Sequence, residues 1–264
     1  MASRSSRISK AARAPVERGA RLRAWRRVIV VALLLVLYLT LHGLWRLFGR
    51  PSPWPPRFLG RLAHAAGIDV ACRGTPLRRH VLYVANHLTW FDITILAGAT
   101  GTRFISKDDV ARWPLIGFLA GLNRTIFIAR AERGQVARQA EAVRIALAEG
   151  TPVTLFPEGG TGDGVALKPF RASLFAAALG CDRVMIQPVA IDYGAERRLV
   201  AWTDHRGGFG AELFRLLGLA GRRQVTLHFL DPIDPAQTGD RKRVAACAQA
   251  RIAAALGETG VEPV

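Results

Sequence analysis

Cysteine is scarce. Cys72, Cys181 and Cys247 form an odd set with no C-x-x-C spacing, which suggests neither a disulfide framework nor a zinc site and fits a reducing, cytosolic setting. Acidic residues are also few, 20 Asp and Glu against 37 Lys and Arg, for a net charge of +17. Such an excess attracts nucleic acid, anionic lipid or anionic substrates, and its sign alone does not choose among them. Long low-complexity segments and internal repeats are missing from residue 66 onward. No zinc finger, RNP aromatic motif or helix-turn-helix signature accompanies the charge, so a basic, membrane-tethered nucleic-acid binder has only its electrostatics in its favour and no nucleic acid is expected as a partner.

The charge is unevenly spread. Residues 1–27 carry nine basic side chains, among them Arg4, Arg7, Lys10, Arg13 and Arg26, against the single acid Glu17. Directly after this arm comes the uncharged run VIVVALLLVLYLTL, residues 28–41, and the apolar character continues through HGLWRLF. A full membrane span needs about 20 apolar residues, so the run suits either a tilted span or a helix that enters one leaflet. No A-x-A-like site follows it, against a cleaved signal. Arg46, Arg50, Arg57 and Arg61 lie beyond it, so both flanks look cytoplasmic. The break PSPWPP and the stretch RFLGRLAHAAG allow a second, amphipathic helix that returns from the bilayer, with Trp25, Trp45 and Trp54 suited to the interface. Residues 28–65 are therefore expected to be membrane-associated, in a bacterial-type inner membrane with the domain that follows on the cytoplasmic face.

From about residue 66 to 257, short apolar runs alternate with longer amphipathic ones, and residues 258–264 form a tail. Strands are expected at 68–72, 81–85, 103–106, 125–129, 152–156, 184–191 and 225–230, and a helix over 134–150, where Val136, Ala140, Val143 and Leu147 recur at helical spacing before Gly150. This alternation predicts an α/β class, a mixed central sheet flanked by helices, with an N-terminal helical membrane anchor. Pro188 interrupts one strand and suggests an edge or a bulge.

Two strand ends carry chemistry. In NHLTWFD, residues 86–92, His87 follows a buried strand and Asp92 enters the next helix. A carboxylate on one ring nitrogen would fix the tautomer and leave the other nitrogen to take a proton from a hydroxyl. No G-x-S-x-G elbow and no neighbouring cysteine supplies a nucleophile, so direct attack by a substrate hydroxyl is simpler than an acyl-enzyme route. In FPEGGTGDG, residues 156–164, glycines let backbone approach a ligand and Glu158 offers a carboxylate. Strand-end structure alone could produce either motif. In NRTIFIAR, Arg124 and Arg130 bracket a strand and could fork onto phosphate or carboxylate, or stand as solvated surface charges.

In this order and spacing the blocks resemble the glycerolipid acyltransferase family typified by 1-acylglycerol-3-phosphate acyltransferases, over roughly residues 66–230. Asn86, His87 and Asp92 match its N-H-x-x-x-x-D block, and Phe156 to Gly159 its F-P-E-G block. Residues 125–130 match its G-x-I-F-I-x-R block, with Arg124 and Thr125 where glycine is usual, and IQPVAI matches its proline-containing strand. The resemblance implies transfer of a fatty acyl group from acyl carrier protein or coenzyme A to a lysolipid hydroxyl, with His87 as base, Asp92 as its orienting partner, and no metal or bound cofactor. Arg130 and Glu158 would hold the acceptor head group, beside Asn86 and the Gly159 turn, and Lys107 would be a further anion contact. The arginine that often follows F-P-E-G-T is absent. Lys168 and Arg171 could replace its charge, and phosphatidate synthesis, the commoner activity, leads. The G-D-G ending also resembles relatives that acylate lyso-ornithine lipid, whose head group has no phosphate, and that is the second reading.

Overall fold

The seven apolar runs form seven strands of one sheet. They are β1 (Ile68–Arg73), β2 (Val81–Ala85), β3 (Arg103–Lys107), β4 (Ile126–Ile128), β5 (Val153–Leu155), β6 (Met185–Asp192) and β7 (Arg223–Phe229), in the order β1-β7-β6-β2-β5-β3-β4. The computed structural model describes residues 18–128, 133–179, 181, 183–202 and 208–258. Five strands, β6-β2-β5-β3-β4, pair in parallel. β7 runs antiparallel to β6 and carries β1 in parallel beside it, which makes the sheet mixed.

The helices are α1 (Arg18–Arg46), α2 (Trp54–Ala65), α3 (Phe91–Thr100), α4 (Asp108–Ala111), α5 (Pro114–Leu122), α6 (Arg133–Ala148), α7 (Arg197–Val200), α8 (Gly208–Gly218), α9 (Pro235–Thr238) and α10 (Arg241–Ala255). They cover both faces of the sheet. β2 shows why: all five of its residues are buried, with Val81, Tyr83 and Ala85 in the core beneath α2, α3 and α8, and Leu82 and Val84 in the core beneath α6 and α10. A strand covered on both faces reads as a continuous apolar run, and each such side chain contributes roughly 1.5–3 kcal/mol when fully buried. α2 and α3 approach so closely that a Cβ on Gly98 would overlap the Gly60 backbone.

Pro188 sits at a bulge and away from any sheet edge. β6 is interior, paired with β2 and β7. Val189 faces Phe229 and Ile186 faces Ile233, so the β7 side has one extra residue where Pro188 has no N–H to offer. The Pro188 carbonyl accepts from Leu230 N–H at 3.0 Å. The buried Gln187 side chain serves its neighbours there, donating to Thr75 and Leu230 carbonyls and accepting from Leu77 N–H.

α1 begins at Arg18, ten residues before the uncharged run, so the last part of the basic arm is helical. Its 29 residues span about 43 Å. It is long and apolar enough to cross a membrane. One stripe, Val28, Val31, Leu34, Leu35 and Tyr38, packs on the domain, while Leu22, Trp25, Ile29, Leu33, Val36 and Leu37 point outward. A helix apolar on both sides calls for a non-aqueous medium on its open side. Both of its ends are tied to the same body. Near its start, Arg27 donates to the Leu217, Leu219 and Gly221 carbonyls at the end of α8, and Arg23 donates to Gly218. Toward its end, Tyr38 and Trp45 contact Trp54 of α2, and His42 bonds Ser52.

Candidate active site

β2 lies between β6 and β5, so three chain segments leave the carboxyl ends of adjacent parallel strands together. This is the edge where open α/β sheets form ligand crevices. β2 delivers Asn86 and His87, β5 delivers Phe156 and Glu158, and β6 delivers Tyr193.

His87 and Asp92 are brought together as their spacing predicts. Nδ1 of His87 is 2.9 Å from Oδ2 of Asp92. That oxygen also accepts Leu88 N–H at 2.7 Å and Thr89 N–H at 2.9 Å, and Oδ1 accepts the Tyr193 hydroxyl at 2.6 Å. Asp92 is fully buried in the first turn of α3, where the helix dipole favours negative charge. With Nδ1 donating to the carboxylate, Nε2 is the acceptor of the neutral ring. Nε2 has no hydrogen-bond partner among the described residues, and the side chain is 13% exposed. The ring stacks on Phe156 with centroids 4.0 Å apart, and Phe156 stacks in turn on Phe104.

The backbone around His87 is held from three directions. His87 N–H donates to Oε1 of Glu158 at 2.7 Å, its carbonyl accepts Gly162 N–H at 2.6 Å, and the Leu88 carbonyl accepts Trp202 N–H at 2.8 Å. The Thr161 hydroxyl closes the group on the Trp202 carbonyl. With these groups all engaged, the imidazole has a fixed base to project from.

Glu158 bridges the two motifs. Its second oxygen accepts Lys168 N–H at 3.2 Å. Burial pushes its carboxyl up to about 7 from the ordinary 4.5, while the hydrogen bonds from the His87 and Lys168 amides pull the other way. Gly159 takes a left-handed φ of +73°, and a Cβ there would meet the Arg171 guanidinium at 2.7 Å. Lys168 and Arg171 are both exposed at this rim, with Lys168 Nζ donating to the Thr161 carbonyl.

Of the remaining expected contacts, Asn86 and Arg124 fall within the described side chains, and Asn86 lines a cleft. Asn86 is buried, and its amide is committed to the Ile191 backbone, donating to the carbonyl at 3.1 Å and accepting the N–H at 2.8 Å. It acts as one more rung between the ends of β2 and β6. Lys107 ends β3, but its side chain lies outside the described residues, as does Arg130 entirely. Arg124 is exposed, two residues before β4. Tyr193 was not singled out by sequence: it lies 101 residues from Asp92, and only the β2–β6 pairing joins them.

That cleft opens between the ends of β2 and β6 and the loop after β5, lined by Asn86, Leu88, Glu158, Ile191, Tyr193 and Arg197 among others, with His87 and Asp92 themselves not among its lining residues. A second, apolar groove runs between α1, α2 and α5, lined by Leu35, Tyr38, Trp54, Phe58, Leu119 and Leu122. Among the described residues, no group of three or more His, Cys, Asp or Glu side chains could hold a metal ion. What the site offers is a fixed imidazole with one free nitrogen, whose chain neighbours Asn86 and Leu88 line the cleft, and such a ring can accept and return a proton.

The family described as Acyltransferase matches residues 69–192. The chain is 35% identical over 244 residues to the lyso-ornithine lipid O-acyltransferase of Rhodobacter capsulatus, covering 86% of this chain and 88% of that protein. It is 31% identical over 191 residues to the 1-acyl-sn-glycerol-3-phosphate acyltransferase of Neisseria gonorrhoeae, covering 69% and 73%. The crystal structure of the 1-acyl-sn-glycerophosphate acyltransferase from Thermotoga maritima superposes with a TM-score of 0.68 at 18% identity, over 92% of this chain and 98% of that one. At that identity the likeness is one of fold.

Proposed function

The chain belongs to the acyltransferase family, and we propose that it moves a fatty acyl group from a thioester, acyl carrier protein or coenzyme A, to the free hydroxyl of lyso-ornithine lipid. It is a membrane-associated enzyme of the lysolipid-acylating type. The choice of acceptor rests on one observation: the greater similarity to the Rhodobacter protein, 35% over 88% of its length against 31% over 73% for the Neisseria protein. The loop after β5 agrees, since FPEGGTGDG lacks the arginine that a phosphate-bearing acceptor would call for. Phosphatidate synthesis is the second reading, favoured by the exposed Lys168 and Arg171 at the same rim.

The geometry of the His87–Asp92 pair supports the following chemistry. The acceptor hydroxyl gives its proton to Nε2 of His87 as its oxygen forms a bond to the thioester carbonyl carbon. The imidazolium is stabilised through Nδ1 by Asp92. The tetrahedral intermediate collapses, the C–S bond breaks, and the departing thiolate takes the proton back from Nε2. The ester and the free thiol are the products, and His87 ends as it began. Because a thioester is already activated, proton handling and alignment are the main demands on the protein.

In this reading α1 lies within the cytoplasmic leaflet along the domain, which is supported by the ties of its start to α8 and of its end to α2. The groove between α1, α2 and α5 takes an acyl chain from the bilayer, and the basic residues at both flanks of α1 meet anionic lipid head groups.

The test is acyl transfer by the purified, detergent-solubilised protein, offered lyso-ornithine lipid and lysophosphatidic acid together with one labelled acyl thioester. Label in ornithine lipid is expected. Label confined to phosphatidic acid would reverse the assignment of acceptor, and label in neither would overturn the proposal.

A further inference from the structure

We propose that Tyr193 is a positioning residue for the His87–Asp92 pair: its phenol fixes the second oxygen of Asp92 and thereby sets the orientation and basicity of the His87 ring. The inference rests on the reading of His87 as the base.

Asp92 is a fully buried carboxylate whose two oxygens are served unequally. Oδ2 accepts the ring and two backbone N–H groups, whereas Oδ1 has a single donor among the described residues, the Tyr193 hydroxyl at 2.6 Å. A carboxylate can turn about its Cβ–Cγ bond, and a donor on the far oxygen opposes that turn. The bond also spreads the negative charge over both oxygens, which moderates how strongly Asp92 holds an imidazolium. Tyr193 is suited to both tasks. It is 3% exposed, and burial, followed by the charge of Asp92, holds its hydroxyl protonated far above the ordinary tyrosine range. Its position is fixed two residues earlier, where the Asn86 amide clips Ile191 to the end of β2.

Other charged groups stand near this line of contacts. Glu158 accepts the His87 and Lys168 backbone N–H groups and lines the same cleft as Tyr193. Asp192, the neighbour of Tyr193 on β6, faces Arg197 at 3.8 Å and His228 at 4.0 Å, and Arg197 reaches Glu258 at 3.2 Å. A shift in pH profile is therefore assigned to Tyr193 only if it depends on Asp92.

The experiment compares Tyr193→Phe in the wild-type and Asp92→Asn backgrounds. In the wild-type background kcat falls roughly tenfold, a fraction of the 10²–10⁴ that a positioned base contributes. KM changes little, and the acid limb of kcat/KM moves to higher pH because the undiluted charge of Asp92 holds the imidazolium longer. In the Asp92→Asn background the same substitution has no further effect on kcat. An equal loss in both backgrounds, or an unmoved profile, would reduce Tyr193 to core packing. If Tyr193→Phe does not fold, a gentler change keeps the question open to decision. The chain has three tyrosines, Tyr38, Tyr83 and Tyr193, and 3-fluorotyrosine, a stronger donor, replaces all three, with Tyr38→Phe as a control. The acid limb then moves to lower pH; a limb that stays in place overturns the proposal. An NMR titration of the His87 ring in the same variants needs no substrate. It fails only if Tyr193 has no such role, whereas absence of turnover with every acceptor would fail the functional reading instead.

Discussion

The loop after β2 and the loop after β5 meet at one strand edge but are built in opposite ways. Around His87, three hydrogen bonds converge on one oxygen of Asp92 and a fourth on the other, and the backbone groups of His87 and Leu88 are engaged. Beyond Glu158 the second loop turns through Gly159 and presents two exposed cations, Lys168 and Arg171, neither of them in an ion pair among the described residues. The first arrangement suits a group whose geometry decides the rate. The second suits contacts that can change with the acceptor while the proton transfer beside them stays the same.

The sharpest way to break this contrast is His87→Ala. Turnover falls by roughly 10²–10⁴ in steady-state acyl transfer, with acceptor KM little changed, because a positioned general base contributes on that scale. Retained turnover would show that the ring is structural.

Glu158, which ties the two loops together, gives the next largest effect. Its folded-state carboxyl is raised to about 7 from 4.5, so the folded protein binds this proton more tightly than the unfolded chain. The stabilising contribution is therefore full below about pH 4.5 and is lost as pH rises through about 7, on the order of 3 kcal/mol in all. Between pH 5 and pH 8, denaturant unfolding of Glu158→Gln loses less stability than the wild type does. Parallel slopes would mean that Glu158 is not buried as described.

Arg27→Ala tests the tie between α1 and the domain. Arg27 is 8% exposed and serves three carbonyls at the end of α8, so its loss lowers stability by about 2 kcal/mol. The smallest effect belongs to the open loop. Lys168→Ala with Arg171→Ala raises acceptor KM roughly fivefold with kcat within about a factor of two, since exposed charges contribute about 1 kcal/mol. Added salt should weaken the wild-type advantage, whereas a salt-independent fall in kcat would place these residues in the chemistry.

The two regions also differ in how readily sequence reveals them. β2 was legible because a strand buried on both faces must be apolar throughout, and His87 and Asp92 because five residues across a strand-to-helix turn fix their meeting. The role of Asn86 was not, because its spacing suits a ligand contact as well as the rung it forms with Ile191. Pro188 marked an irregularity correctly, but whether that meant an edge or a bulge depended on the register of β7, more than 30 residues later. Tyr193 was invisible for the same reason: no local spacing joins it to Asp92, and only the neighbouring places of β2 and β6 in the sheet do so. The arginines of α1 looked like part of a uniformly basic arm, yet Arg27 finds its partners about 190 residues away.

The most direct test of a division between chemistry and recognition is the ratio of kcat/KM for two acceptors with different head groups, measured in the wild type, in His87→Ala and in Lys168→Ala with Arg171→Ala. His87→Ala should lower both values by one factor and leave the ratio unchanged, while the double variant should change the ratio. A ratio altered by His87→Ala, or two values lowered equally by the double variant, would contradict the account.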